Sequence, residues 1–272
     1  MDAIAKRIGH ALFGSVMLLA TSFAAADNGS VGVVLMHGKW GNPGQHIDTL
    51  AAALASKGFR VGTPEMPWSK RRAYDKSADD ALNEVDAEVA KLRDQGARRI
   101  VIAGHSLGAA GALAYAARRP VDAIALIAPG HVPESRVIAA KFAADVNKAR
   151  EMVSAGKGDE TAWFPDFNTG NRSASMKMTA RTYISYFDPA STMNFSRNVE
   201  SVKPGTRVLW VEPLGEEPPL RSNLMRIFSL LPQGLNVKLL EPDANHMSAP
   251  ERAAAEIVNW VKTAVAQAPP KN

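Results

Sequence analysis

Ser106 stands in the run Ile100-Val101-Ile102-Ala103-Gly104-His105-Ser106-Leu107-Gly108-Ala109-Ala110-Gly111. A serine hydroxyl is a weak nucleophile near neutral pH. It attacks a carbonyl when a base takes its proton and a third group orients that base. Such a set performs acyl transfer: the hydroxyl displaces an alcohol, thiol or amine from an acyl group, and water then releases the acid. The chain has no cysteine, which excludes a thiol nucleophile, a disulfide framework and a thiolate metal site. No closely spaced cluster of His, Asp and Glu with metal-ligand spacing occurs either.

The residues around Ser106 say how it is held. The β-branched run before Gly104 reads as a strand and the small residues after Leu107 as a helix. Between them the chain must turn sharply at Ser106. A strained serine at such a turn needs small neighbours, and Gly104 and Gly108 supply them. The hydroxyl is thereby raised above the sheet edge. The amide of Leu107, at the helix start, is placed to face a developing negative charge.

The remaining periodicity alternates strands with helices. Val31–Met36, Phe59–Thr63, Ala123–Ala128, Arg207–Val211 and Leu235–Leu240 read as further strands. Ile47–Lys57, Asp79–Gln95, Pro219–Leu230 and Pro250–Ala264 read as helices. A mostly parallel sheet of about six strands, flanked by helices, follows from that alternation. The stretch 132–204 is too long for an ordinary connection. Helical patterns are read at Arg136–Val153 and Ser173–Tyr186, and aromatic residues concentrate in its latter part.

The Gly104-His105-Ser106-Leu107-Gly108 turn between strand and helix, together with His37-Gly38 after the first strand, resembles the α/β-hydrolase superfamily over about Val31 to Val265. The resemblance implies an α/β-hydrolase fold and a Ser, acid, His order along the chain. His246, after the last strand, is the implied base. The implied oxyanion amides are those of Leu107 and Lys39, with Trp40 as the alternative to Lys39, and His37 braces that loop. The acid should follow the Arg207–Val211 strand, usually as an aspartate in a glycine turn. Here the turn reads Glu212-Pro213-Leu214-Gly215-Glu216-Glu217-Pro218. Counting from the strand start favours Glu216. An acid-Pro ending favours Glu217, Glu212 lies at the strand tip, and Asp243 sits near His246. The insertion at 132–204 is expected to form a cap, and Trp40, Trp68 and His131 are the candidates to line the substrate pocket.

The N-terminus carries Lys6 and Arg7, an apolar stretch from Ala11 to Ala20 and Ala24-Ala25-Ala26. This is the pattern of a secretory signal peptide over 1–26, with one hydrolase domain over 27–272. The apolar stretch is short for a bilayer span, and no later segment is long and apolar enough to be one. The net charge of +5 is scattered rather than striped with aromatic residues, so nucleic-acid binding finds no support.

The reading is an exported serine hydrolase, periplasmic or secreted, carboxylesterase or lipase-like. It acts on a small-molecule acyl ester of small to medium size, loosely apolar or aromatic, without cofactor or metal. Thioesterase, acyltransferase and peptidase activities use the same machinery. The rival of another class is a non-catalytic binding protein that keeps the fold. Nothing in the sequence specifies an oligomeric state.

Overall fold

The computed structural model describes residues 28–168 and 172–266. The signal peptide read at 1–26 and the tail 267–272 lie outside the described residues. The first strand, β1 (Val31–Met36), is buried along its whole length, as an unbroken apolar run demands. α1 (Asp48–Ser56) leads to the short β2 (Arg60–Gly62). α2 (Ala78–Asp94) opens on a capping box in which the Ser77 side chain accepts from the Asp80 amide and Asp80 answers to the Ser77 backbone. β3 (Arg99–Ser106) runs straight into α3 (Leu107–Arg118), and β4 (Ala123–Pro129) follows. After the insertion come β7 (Arg207–Val211), α7 (Pro218–Phe228), β8 (Asn236–Leu240), α8 (Ala249–Arg252) and α9 (Ala254–Ala266). The insertion itself contributes α4 (Arg136–Ser154), β5 (Thr161–Asn168), β6 (Arg172–Thr179), α5 (Ala180–Phe187) and α6 (Phe195–Glu200).

The main sheet has six strands in the order β2-β1-β3-β4-β7-β8, and every neighbouring pair in it is parallel. Side chains alternate between two cores, one on each face. Val34 and Met36, Ile100 and Ile102, and Ile124 and Leu126 face the core beneath α2, α3 and the insertion. Val33 and Leu35, Val101 and Ala103, and Ala125 and Ile127 face the core beneath α1, α8 and α9. The strand order reverses between β1 and β3: the chain leaves β1 toward β2 on one side and leaves β3 toward β4 on the other. A crevice opens at the carboxyl ends of strands at such a reversal, and Ser106 is the last residue of β3.

All six strands read from the sequence are present, and the insertion differs from its reading. Residues 172–179 form a strand, paired antiparallel with β5; only 180–187 is helical. The reason lies in the alternation Ala174, Met176, Met178, whose side chains are the less exposed members of β6. That is a period of two, and the apolar spacing was read at 3.6. Phe164 and Asp166 are the inward residues of β5, with Trp163 63% exposed on the opposite face. The insertion's aromatic residues pack on one another. Phe164 stacks on Tyr183 at 4.3 Å, and Tyr183 stacks on Phe187 at 4.6 Å between ring centroids.

Backbone segments come into close contact where β3 becomes α3. A methyl group on Gly104 would overlap the Gly108 carbonyl, and one on Gly108 would overlap the carbonyls of Met36 and His37. Strand, helix and the end of β1 therefore meet backbone to backbone. Gly104→Ala is expected to destabilise the protein by about 1–3 kcal/mol, the usual range for forced overpacking. Urea unfolding checks this: the midpoint should fall with the slope unchanged, and an unaltered midpoint would show that the turn has slack.

Candidate active site

Ser106 sits at φ 57° and ψ −118°, a left-handed conformation that a serine adopts only when its surroundings impose it. The glycine contacts just described impose it. Ser106 is 9% exposed, His246 5% and Glu216 4%. The Ser106 hydroxyl donates to His246 Nε2 at 2.9 Å. His246 Nδ1–H donates to Glu216 Oε2 at 2.5 Å. A hydroxyl, an imidazole and a carboxylate thus form one hydrogen-bonded chain. Such a chain can withdraw the serine proton through Nε2 while the carboxylate holds the ring in the required tautomer.

Three backbone bonds bring the loop after β7 against the loop after β8. The Glu212 amide donates to the Leu240 carbonyl at 2.9 Å, that of Leu214 to Pro242 at 3.0 Å and that of Gly215 to Ala244 at 2.9 Å. Glu216 is thereby carried to His246, and its second oxygen accepts from the Glu217 amide at 2.9 Å. Glu217 itself caps the start of α7 and is solvent-exposed. Glu212 is fully buried and accepts from Trp210 Nε1 at 3.1 Å. Neither carboxylate is the one bonded to His246, and Asp243 is solvent-exposed on its turn.

His105, the variable residue of the glycine-flanked motif, has a part that the sequence reading missed. Its Nε2–H donates to the His246 carbonyl at 2.8 Å. Burial, followed by the neighbouring His246, lowers its pKa to about 3, so the ring is a neutral donor. It holds the backbone that carries His246. A histidine inside the motif was the available signal, but its partner lies far along the chain.

The loop after β1 packs against the serine: the Cβ missing from Gly38 would lie 3.1 Å from Ser106 Cβ. His37 braces this loop as read. Its Nε2 accepts from the Met66 amide at 3.0 Å, and its Nδ1–H donates to the Gly38 carbonyl at 2.8 Å. The Trp40 amide donates to the Trp68 carbonyl at 2.9 Å, which commits it to the neighbouring segment after β2. The Lys39 amide is therefore the candidate left in this loop. Leu107 is the first residue of α3, where amides have no acceptor within the helix.

The pocket at Ser106 encloses about 70 Å³, and Trp40, Gln45, His46, Asn168, Arg172 and Met247 are among its walls. Two of the three predicted pocket residues are elsewhere. Trp68 is fully buried; its Nε1 donates to the His37 carbonyl at 2.9 Å, and its ring lies over Gly111 of α3. A bulky aromatic beside a glycine-bearing helix is better buried in that gap than left in the crevice. His131, at φ 63°, donates from Nε2 to the Tyr186 carbonyl at 2.8 Å and packs on Phe187. That turns it toward α5, and Gly130 instead covers Ser106. The insertion's buried aromatics line no part of the pocket, so the loosely apolar substrate read from them loses its basis. No group of acidic, histidine or cysteine residues able to hold a metal occurs among the described residues, and no helix there is long and apolar enough to cross a membrane.

A profile of the Alpha/beta hydrolase family matches residues 33–260. No curated protein sequence matches the chain. Among solved structures, the chain is similar to a monoacylglycerol lipase from Paleococcus ferrophilus, with a TM-score of 0.61 and 19% identity over 86% of this chain and 94% of that one. It is similar to Est1E from Butyrivibrio proteoclasticus, with a TM-score of 0.59 and 16% identity over 87% and 88%. A structure reported for the metagenome-derived lipolytic enzymes LipS and LipT gives a TM-score of 0.58 and 18% identity over 86% and 92%.

Glu212 yields a test of the electrostatics. Burial pushes its pKa from 4.5 up to about 7; the Trp210 bond opposes this and the Glu216 charge adds to it. The unfolded chain releases this proton near 4.5, below the folded protein. Stability linked to Glu212 is therefore full below pH 4.5 and is lost as pH rises through about 7. Glu212→Gln keeps the acceptor for Trp210 without the titration. Thermal unfolding from pH 4 to 8 should show the variant gaining on the wild type across that window, and parallel curves would contradict the assignment.

Proposed function

Because the chain belongs to the alpha/beta hydrolase family, we propose that it is a serine esterase that cleaves carboxylic esters of short acyl groups through an acyl-enzyme. The observation that carries this reading is the unbroken hydrogen-bonded chain from Ser106 through His246 to Glu216. Ser106 Oγ attacks the ester carbonyl carbon while His246 Nε2 takes its proton. The imidazolium that forms is stabilised by Glu216. The tetrahedral oxyanion is held by the amides of Leu107 and Lys39, donors aimed in advance at charge that appears only in the transition state. His246 then protonates the departing alkoxide. It next activates a water that attacks the acyl-enzyme, and Ser106 recovers its proton as the acid leaves.

The pocket supports the size class. Pockets that bury drug-sized ligands hold roughly 300–1,000 Å³, and the space here is about 70 Å³. Long acyl chains would have to lie across the surface, which favours an esterase over a lipase. The fold likenesses to lipolytic enzymes and to Est1E agree with ester hydrolysis as a class. The insertion forms the rim of the site through Asn168 and Arg172, and in this reading it serves as the cap. The basic and apolar N-terminal pattern makes the enzyme an exported one, periplasmic or secreted.

Turnover of p-nitrophenyl esters tests the reading. Acetate and butyrate should be cleaved well, and decanoate poorly. Ser106→Ala should lose about 10³-fold or more in kcat, as should Glu216→Ala to within about tenfold of that, while Glu217→Ala should stay within about twofold of wild type. A Ser106→Ala variant that retains activity, or wild-type protein that neither turns over esters nor is labelled by a fluorophosphonate, would sink the proposal.

A further inference from the structure

Asp166 lies on β5 of the insertion and has no solvent exposure. It does not line the pocket. Its carboxylate is nevertheless the most heavily bonded acidic group near the site. Oδ1 accepts from Lys39 Nζ at 2.6 Å and from the Phe167 amide at 2.7 Å. Oδ2 accepts from Trp40 Nε1 at 2.9 Å and from the Tyr74 hydroxyl at 2.7 Å. Two more bonds run from the same strand to the same loop: Lys39 Nζ donates to the Phe167 carbonyl at 2.8 Å, and Asn168 Nδ2 donates to the Lys39 carbonyl at 3.3 Å. The Lys39 side chain is 8% exposed, so this ion pair is buried.

We propose that Asp166 is a positioning residue for ester hydrolysis: by gripping the side chains of Lys39 and Trp40 it fixes the backbone dihedrals of Lys39, and so the direction of the Lys39 amide that receives the oxyanion. The proposal rests on the serine esterase reading above. The loop needs such a grip. Trp40 is held at φ 57°, a conformation disfavoured for a bulky side chain, and the flanking Gly38 and Gly41 resist no rotation of their own. A loop of this kind, left to itself, samples several orientations of the Lys39 amide. Oxyanion stabilisation depends on donors already in place when charge develops, and a displacement of about 1 Å costs roughly 100-fold in rate. An insertion that binds the Lys39 side chain and carbonyl and the Trp40 side chain holds the residue next to Gly38, and converts a flexible loop into a rigid donor. The alternative is a purely structural ion pair that attaches the hairpin to the domain.

Four proteins separate the two roles. Asp166→Asn removes the charge but keeps the shape. The double variant Lys39→Met with Asp166→Leu replaces the ion pair by apolar side chains, which avoids a lone buried charge. Met178→Ala, in β6 and remote from the loop, loosens the hairpin's packing without touching Lys39. Steady-state kinetics on p-nitrophenyl acetate should show kcat falling roughly 10- to 100-fold in both Asp166 variants with KM within about threefold of wild type. Affinity for methylboronic acid, whose adduct on Ser106 presents an oxygen to the same amides, should fall by a similar factor. Met178→Ala should keep the wild-type kcat even where its melting temperature drops as far. A folded Asp166 variant with wild-type kcat and boronate affinity would overturn the proposal, as would an equal kcat loss in Met178→Ala. Failure of the esterase reading is distinct: there the wild type itself would be inert to ester and fluorophosphonate.

Discussion

The site depends on one steric constraint: three pieces of backbone occupy the space that side chains would ordinarily fill. Gly104, Gly108 and the carbonyls of Met36 and His37 lie in contact at the end of the central strand. That contact forces the turn, and the turn holds Ser106 in its left-handed conformation. Conformational strain at one residue costs on the order of 1–3 kcal/mol. It is sustained because both cores of the sheet close around β3 and α3, whose residues are almost wholly buried.

The other two members of the hydrogen-bonded chain are held differently. Neither Glu216 nor His246 lies in regular structure. Their loops extend from adjacent strands, β7 and β8, and continue the pairing by backbone bonds past the strand ends. The sheet's register is thus carried upward into the site. His105 then ties the His246 backbone to the central strand. The arrangement is rigid because each loop is bonded to a neighbour that is itself bonded to the sheet, and no single loop has to hold its shape alone.

The insertion adds a third mode of support. Its hairpin is stapled to the loop after β1 by a buried carboxylate rather than by apolar packing. Its buried aromatic rings pack within the hairpin, on α5, and against Trp68 and Tyr74. This division explains why a segment rich in phenylalanine and tyrosine leaves a small pocket: the rings stabilise the support, and among the described residues the support meets the site through Asn168 and Arg172 and through its bonds to Lys39 and Trp40.

What the sequence determined by itself were the features written in local pattern. The six strands and the turn at Ser106 were legible because strand periodicity, glycine placement and a short motif are properties of neighbouring residues; the bracing role of His37 came with the resemblance. The resemblance carried the order of serine, acid and histidine, and counting along the loop pointed to Glu216. Only the tertiary structure decided the rest. The pairing of two strand-end loops brings Glu216, and neither Glu212 nor Glu217, within hydrogen-bond distance of His246. Alternation over β6 is too short to be told from a helical stripe until β5 lies beside it. Trp68 and His131 left the pocket because a gap over Gly111 and a carbonyl on α5 were better partners than the crevice. Asp166 meets Lys39 across more than a hundred residues, and local pattern holds no record of a contact made at that distance.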